Sequence, residues 1–397
     1  MPKLLQLNAV ANWGSTGKIV EQIGLKAQES GWDSFVAFGR HMNPSKLELI
    51  KVGSIPFVYE HFLENRFLDR EGLASRLPTY RLINQMKNLK PDVVQLHNIH
   101  DHWLNYPQLF RHLAKEKVPV VWTFHDCWAF TGHCALYYDD CVKWKTGCGN
   151  CPHKFNYCTD RSSYNYILKK ELFNSIKNLT IVPVSDWMGE KVKESFLGQH
   201  KIRVIHNGID LKVFKPTESA IRKKYGIAKN LVLGVAQVWS KKKGLNDFFA
   251  LRNRLCDDYS ILLVGLSHDQ IKSLPNGIIG LTRTGNVFEL AKLYAAADVF
   301  ANPTYSDTFP TVNIEALACG TPIVTYRTGG SPEAVDEKTG VVVEQGDLDG
   351  LCSAIFEVAK KGKEYYSASC RKRAEMYFDK EKCFKNYIEL YNGLMEN

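Results

Sequence analysis

No apolar run in this 397-residue chain approaches the ~18 residues that a membrane-spanning helix requires. The N-terminus lacks the unbroken apolar core of a secretory signal, because Asn8, Asn12 and Gly14 interrupt it early, and the expected location is the cytoplasm. Short-period internal repeats and low-complexity segments are missing, which excludes a repeat array. A complete phosphate-binding P-loop is missing too. The stretch "NWGSTGKIV" (residues 12–20) has the glycines and the lysine, but Asn12 stands where the first glycine belongs. Ile19 stands where a magnesium-binding hydroxyl belongs, so a magnesium-dependent NTPase is excluded. No segment resembles a nucleic-acid-binding module, and no nucleic-acid partner is expected. The net charge of +9 instead fits solvated helix faces and phosphorylated small molecules. The acidic stretch "YYDDC" (137–141) reads as a surface turn rather than a metal clasp.

What is present is an alternation of elements. The chain is longer than the roughly 250–300 residues at which single cores stop growing, so two domains are expected. Short β-rich runs ("KLLQLN", "SFVAFG", "DVVQLHN", "VPVVWTFHD", "LTIVPVS", "IRVIHNG") are separated by helix-period segments. After residue 230 the alternation restarts with "LVLGVAQ", "YSILLVG", "DVFANPT", "TPIVTY" and "GVVVE". Near-continuous apolar strands with helical crossovers imply parallel sheets covered on both faces. The expected architecture is α/β, with two Rossmann-like domains over residues 1–205 and 206–397, facing each other across a cleft. The joint falls near "HNGIDLKVFKP", and the last helix is a candidate to return to the first domain.

The densest chemistry is "YSDTFPTVNIEALACGTPIV" (305–324), which follows a strand and turns helical at Pro310 or Thr311. Asp307 precedes that helix and Glu315 lies one turn inside it. Backbone amides at the helix start favour an anion, and two carboxylates can grip sugar hydroxyls. The turn "TGGSPEAV" follows one strand later, and "QVWSKKKGLNDF" closes the first strand of this half with three lysines. Three loops from one sheet edge are expected to converge on one phosphate-sized site.

These residues resemble the GT-B retaining glycosyltransferases of the family-4 type, over essentially the whole chain. The resemblance rests on the family's E-x7-E stretch, here running from Asp307 to Glu315 with "EALACGTPIV" trailing. It rests also on "GGxPE" (Gly329, Gly330, Pro332, Glu333), on Lys243–Gly244, on "NGID" (Asn207–Asp210) and on "HD" (His125, Asp126). "LHNIHDHWLNYP" and "HDCWAFTGHC" resemble the branch that acts in bacterial capsule, exopolysaccharide or colanic-acid-like assembly. The resemblance implies a UDP- or GDP-sugar donor, a saccharide or lipid-linked saccharide acceptor, retention of configuration, and catalysis without a metal. It implies that Glu315 holds the ribose, Asp307 reaches the donor sugar, and Lys243 neutralises the departing diphosphate, helped by amides around Thr308, Phe309, Thr311 and Val312. Gly14 and Gly17 would bound the first loop near the diphosphate, and His125 would meet the reacting sugar. His97 and His100 carry either structural or acceptor-side roles.

Two departures from the family pattern stand out. Gln237, Val238 and Trp239 occupy the place of the usual arginine, leaving Lys241 or Lys242 to substitute, and Asp307 is one methylene shorter than the usual Glu. The alternatives from other classes are a GT-B nucleotide-sugar epimerase and a non-catalytic scaffold that binds sugar nucleotides.

Two further stretches carry open readings. Six cysteines fall between Cys127 and Cys158, in a chain for which a disulfide framework is not expected. Cys148 and Cys151 have the C-x2-C spacing of a zinc knuckle. Cys134 and Cys141, or His133 in place of one, would complete a structural zinc site; the other reading is free thiols in an irregular loop. The basic, aromatic stretch "YEHFLENRFLDREGLASRLPTYRLINQMKNLK" is either an ordinary helix pair packing through Phe62, Leu63, Phe67 and Leu68, or a surface for peripheral contact with the inner face of the cytoplasmic membrane.

Overall fold

The computed structural model describes residues 1–138, 140–153, 158–218, 220–227 and 229–396. Asp139 of "YYDDC" lies outside the described residues. The chain forms two compact units, Met1–Ile205 with the C-terminal stretch from Phe384, and His206–Cys383.

In the first unit, β1 (Lys3–Asn8), β2 (Asp33–Phe38), β3 (Glu48–Lys51), β4 (Val93–Leu96), β5 (Val120–Phe124), β6 (Leu179–Pro183) and β7 (Lys201–Ile202) form one sheet. Its order is β3-β2-β1-β4-β5-β6-β7, with every pairing parallel. The second unit holds β8 (Asn230–Val235), β9 (Tyr259–Val264), β10 (Ile278–Leu281), β11 (Val299–Asn302), β12 (Ile323–Tyr326) and β13 (Gly340–Val343). They are ordered β10-β9-β8-β11-β12-β13, again all parallel. In both sheets the first strand sits between the second and a later one, so strand order reverses at β1 and at β8. Such a switch point leaves a crevice beyond the carboxyl ends of the two strands on either side. The loops after β1, β4, β8 and β11 therefore have first claim on ligands.

The strands are apolar because helices cover both faces, and β4, β5 and β6 are buried throughout. Gln95, a buried polar residue in β4, is paired. Gln95 donates to Thr123 Oγ1 at 2.9 Å and accepts from Tyr391 Oη at 2.5 Å, so the C-terminal segment completes this core.

Two strands escaped the sequence reading, β3 ("ELIK") and β10 ("IIGL"). Both are four-residue edge strands whose side chains are mostly part-exposed, so neither shows the continuous apolar run of a central strand. The helix pair Ile55–Leu68 and Arg76–Leu89 exists, but it does not pack through the expected residues. Phe62, Leu63, Phe67 and Leu68 stand 44%, 50%, 53% and 43% exposed. Helix Ile55–Leu68 instead turns His61 and Asn65 inward, held by hydrogen bonds to Ser75, to the Gly72 amide and to His102.

Candidate active site

In the second unit, three loops interlock at the carboxyl ends of β8, β11 and β12. After β8 the chain makes a 3-10 turn over Lys241–Lys243 and enters helix Leu245–Arg252 through Gly244, at φ +75°. A Cβ at Gly244 would lie 2.1 Å from the Pro303 carbonyl oxygen, so glycine allows the β8 and β11 loops to touch. The Lys242 carbonyl accepts the Tyr305 N–H at 2.8 Å. The turn after β12 closes the set: Gly329, at φ +51°, lies where a Cβ would come within 1.8 Å of the Asp307 carbonyl oxygen. Beneath the loops, buried Asn302, Asn313, Thr325 and Ser331 hydrogen-bond to one another and tie β11, β12 and helix Thr311–Ala318 together. The helix begins at Thr311, since Pro310 (ψ 112°) keeps an extended backbone.

This packing joins Lys243 to Asp307, Nζ to Oδ2, at 2.6 Å. Both side chains remain partly exposed, at 38% and 20%. Lysine and carboxylate thus stand as one ion pair at the mouth of the site. Lys241 is exposed, and Thr308, Thr311 and Val312 are half-buried. Phe309 differs: its ring is buried against His206 (centroids 5.0 Å) and Phe378 (5.7 Å), so only its backbone is available to a ligand. Glu315 accepts a 2.8 Å hydrogen bond from Tyr294 Oη. Tyr294 is fully buried, and burial together with the Glu315 charge pushes its pKa well above the ordinary tyrosine value. It therefore stays a hydrogen-bond donor and fixes the carboxylate. Sequence reasoning missed Tyr294, which stands in an unremarkable helical run, and missed His206, which pairs with Glu333 at 2.9 Å directly before "NGID". Trp239, in the place of the usual arginine, is buried and donates to the Val264 carbonyl at 2.8 Å.

The first unit builds its switch point from side chains. The glycine turn after β1 runs through Asn12 (φ 47°) and Gly14 (φ 63°) into helix Gly14–Glu29, whose N-cap residue Trp13 makes no side-chain cap bond. The start of that helix therefore offers backbone donors that the Trp13 side chain does not cap. β4 and β5 end side by side in His97 and His125, whose rings stack 5.3 Å apart with Nδ1 and Nε2 at 3.0 Å. Burial lowers both pKa values. That of His97 falls well below normal; that of His125 falls to about 4, with Asp126 opposing and His100 adding to the shift. The pair is neutral at pH 7, one ring donating to the other.

One residue further along, His100 Nε2 lies 2.8 Å from Asp126 Oδ2, and His100 Nδ1 lies 3.9 Å from Glu71. Burial opposes protonation of His100, yet Asp126, Glu71 and Asp101 outweigh it and raise the pKa to about 9. Asp126 also accepts the Trp128 N–H at 2.9 Å. Glu71 accepts from Trp128 Nε1 (3.0 Å) and from the Asp101 N–H (3.2 Å), and Arg40 pairs with Asp101. These bonds hold Asp101 (φ 80°) and His102 (φ 65°) in a conformation that costs non-glycine residues energy. Glu71 and Arg40 carried no motif, and Asp101, though inside "LHNIHDHWLNYP", was given no role in advance.

The four candidate cysteines line a single pocket after β5. Cys134 and Cys151 approach His133 closely enough for all three ligand atoms to lie within 4.8 Å of one another.

Residues 17–213 match the family model for Glycosyltransferase Family 4, and residues 229–361 match that for Glycosyl transferases group 1. A colanic acid biosynthesis glycosyl transferase of Escherichia coli (strain K12) is 24% identical over 420 residues, spanning 98% of this chain and 100% of that one. Sucrose-phosphate synthase from Thermosynechococcus elongatus shares the fold with a TM-score of 0.75, at 18% identity over 100% of both chains. Anabaena HepE in complex with UDP-glucose does so with a TM-score of 0.66, at 18% identity over 98% of this chain and 99% of that one. The chain belongs to the GT-B glycosyltransferases, with a Glycosyltransferase Family 4 half followed by a group 1 half.

Proposed function

We propose that this glycosyltransferase moves a sugar from a nucleotide-sugar donor to a saccharide or lipid-linked saccharide acceptor in surface polysaccharide assembly, with retention of configuration. The observation that carries the reading is the interlocked triple loop of the second unit, which presents Lys243, Asp307 and Glu315 around the start of helix Thr311–Ala318. Cleaving a nucleotide sugar puts negative charge on the departing diphosphate and positive character on the sugar ring. Lys243 and the amides from Thr308 to Val312 meet the first charge, and preorganised donors of this kind are usually the largest catalytic contribution. As the diphosphate draws Lys243, Asp307 is released towards the sugar. Glu315, held by Tyr294, accepts ribose hydroxyls. The acceptor oxygen bonds to the anomeric carbon as the carbon–oxygen bond to phosphate breaks, and the acceptor proton passes to that phosphate. His125, neutral and beside Asp126, assists transfer rather than donor binding.

The polysaccharide context is supported by the Escherichia coli relative, and a uridine donor by the HepE complex with UDP-glucose. Peripheral membrane contact is supported by the exposed apolar side chains of helix Ile55–Leu68, together with Leu77 and Tyr80 beside exposed Arg76, Arg81 and Lys87. Flotation with anionic and neutral liposomes tests that contact, and equal recovery from both removes it.

The deciding experiment for the reaction is a panel of UDP- and GDP-sugars with and without saccharide acceptors, read as nucleoside diphosphate released. A transferase releases it in an acceptor-dependent way. An epimerase interconverts donors without acceptor, and a scaffold binds without turnover; either result overturns the proposal.

A further inference from the structure

The stretch after β5 holds a second cluster of reactive side chains that the transfer chemistry does not use. Between Cys127 and Cys158 the described backbone has only two short 3-10 turns, Trp128–Phe130 and Lys143–Lys145. It nevertheless wraps a pocket walled by His133, Cys134, Cys141, Cys148 and Cys151, all four cysteines being free thiols. His133 Nε2, Cys134 Sγ and Cys151 Sγ lie within 4.8 Å of one another, and His133 Nε2 is 3.2 Å from Cys151 Sγ. Zinc bonds of about 2.3 Å to sulfur and about 2.0 Å to nitrogen put tetrahedral ligand atoms roughly 3.5–3.8 Å apart. His133 Nε2 and Cys151 Sγ are therefore already near ligand spacing, and Cys134 Sγ lies no more than 4.8 Å from them. Cys148, which forms C-x2-C with Cys151, sits on the same wall, with its sulfur accepting the Gly132 N–H at 3.2 Å.

The far edge of the imidazole carries the second observation. His133 Nδ1 is 2.9 Å from Asp69 Oδ2, and the two side chains are 1% and 0% exposed. Asp69 is itself pinned: its carboxylate accepts the Arg161 N–H at 2.8 Å, and its carbonyl accepts from Asn165 Nδ2 at 2.9 Å. With Asp69 at the Nδ1 edge, the ring turns Nε2 towards the Cys151 sulfur, the arrangement in which a carboxylate orients a histidine ligand of a metal.

We propose that His133, Cys134, Cys148 and Cys151 hold a structural zinc ion, with Asp69 as the positioning residue behind His133. Four protein ligands leave no open position for chemistry. The ion's work is mechanical: it fastens the irregular segment 132–151 to Asp69, at the C-terminus of helix Ile55–Leu68, and so to the start of helix Ser162–Asn174. The proposal stands independently of donor and acceptor.

Elemental analysis of the purified full chain is expected to find about one zinc per chain, falling to roughly a tenth or less in the Cys148→Ser, Cys151→Ser double variant. Because that variant could fail to fold, cobalt exchange into the wild-type protein supplies a second measurement. Tetrahedral d–d bands are expected, with sulfur-to-cobalt charge transfer of three-thiolate rather than four-thiolate intensity. Cys141→Ser should keep both the metal and the spectrum, whereas His133→Ala should lose the metal or change its bands. Metal-free wild-type protein with freely titrating thiols overturns the proposal. So does a disulfide within the cluster, or a four-thiolate spectrum that survives His133→Ala and vanishes in Cys141→Ser.

Discussion

The two switch points of this molecule are built from different materials. At β8 and β11 the site is made by backbone: Gly244 and Gly329 let one loop touch the carbonyl of another, and the charged side chains stand on that frame. At β4 and β5 it is made by side chains, a neutral His97–His125 pair beside an ionised His100–Asp126 pair. A frame of interlocked backbone suits a ligand that is the same in every cycle, such as a nucleoside diphosphate. A ladder of imidazoles and carboxylates is open to change residue by residue, which suits the variable partner in transfer. The neighbouring histidines also show how two imidazoles at one strand edge take opposite charge states. Burial dominates for His125, whereas Asp126, Glu71 and Asp101 win for His100.

Substitutions in each region should separate along this line. The largest effect is expected for Lys243→Ala, which removes the proposed positive partner of the leaving group and should lower kcat by about 10²–10³ while the fold remains intact. A variant retaining more than half the wild-type turnover would move the role to Lys241 or Lys242. Next comes Glu315→Ala, which leaves Tyr294 Oη without its acceptor and should weaken binding of all nucleotide donors alike, by roughly 10–100-fold. Calorimetry with the free nucleoside diphosphate measures it, and unchanged affinity would detach Glu315 from the ribose. In the other unit, His125→Ala should lower transfer by about 10–100-fold with little change in donor affinity, less than loss of a full general base. An equal loss in donor binding and in transfer would erase the proposed division of labour.

The smallest effect separates the two charge states by pH. The pKa of His100 is raised to about 9 in the folded protein, against an ordinary value of 6.5. Its contribution to stability is therefore complete below pH 6.5 and is lost as pH rises through about 9. The wild type should melt roughly 2–4 °C above His100→Gln at pH 6 or below, with the gap closing by pH 9–10. For His125, lowered to about 4, the sign is reversed: its contribution is present above pH 6.5 and is lost as pH falls through about 4. A gap for His100→Gln that widens with pH would show that this imidazole is not the ionised one.

Legibility followed the same division. The central strands were readable because a strand buried on both faces must be nearly continuously apolar, as "LLQL", "VVWTF" and "ILLV" are but for Gln6 and Thr123. The edge strands "ELIK" and "IIGL" were not, since half-exposed strands need no such run. In the second unit the three loops could be named in advance from their glycines, lysines and carboxylates after strands, while Lys243 and Asp307 were singled out among them by the family resemblance. Tyr294 could not, because a buried tyrosine in a helix looks the same whether its hydroxyl meets a carboxylate or a carbonyl. The expectation that Phe62, Leu63, Phe67 and Leu68 would form a helix–helix contact failed for a related reason: apolar spacing tells which residues share a face, not what covers that face.

What the amino-acid order determined by itself was therefore local or periodic: the alternation of strand and helix, the glycine turns, the loop charges, and the C-x2-C spacing. Which distant groups meet was decided only by tertiary structure. Lys243 and Asp307 are 64 residues apart, His97 and His125 are 28 apart, and His133 and Asp69 are 64 apart. The charge states of His97 and His125 depend on burial and on partners that chain folding alone brings within a few ångströms. Coulombic and desolvation energies act over those distances and not along the sequence.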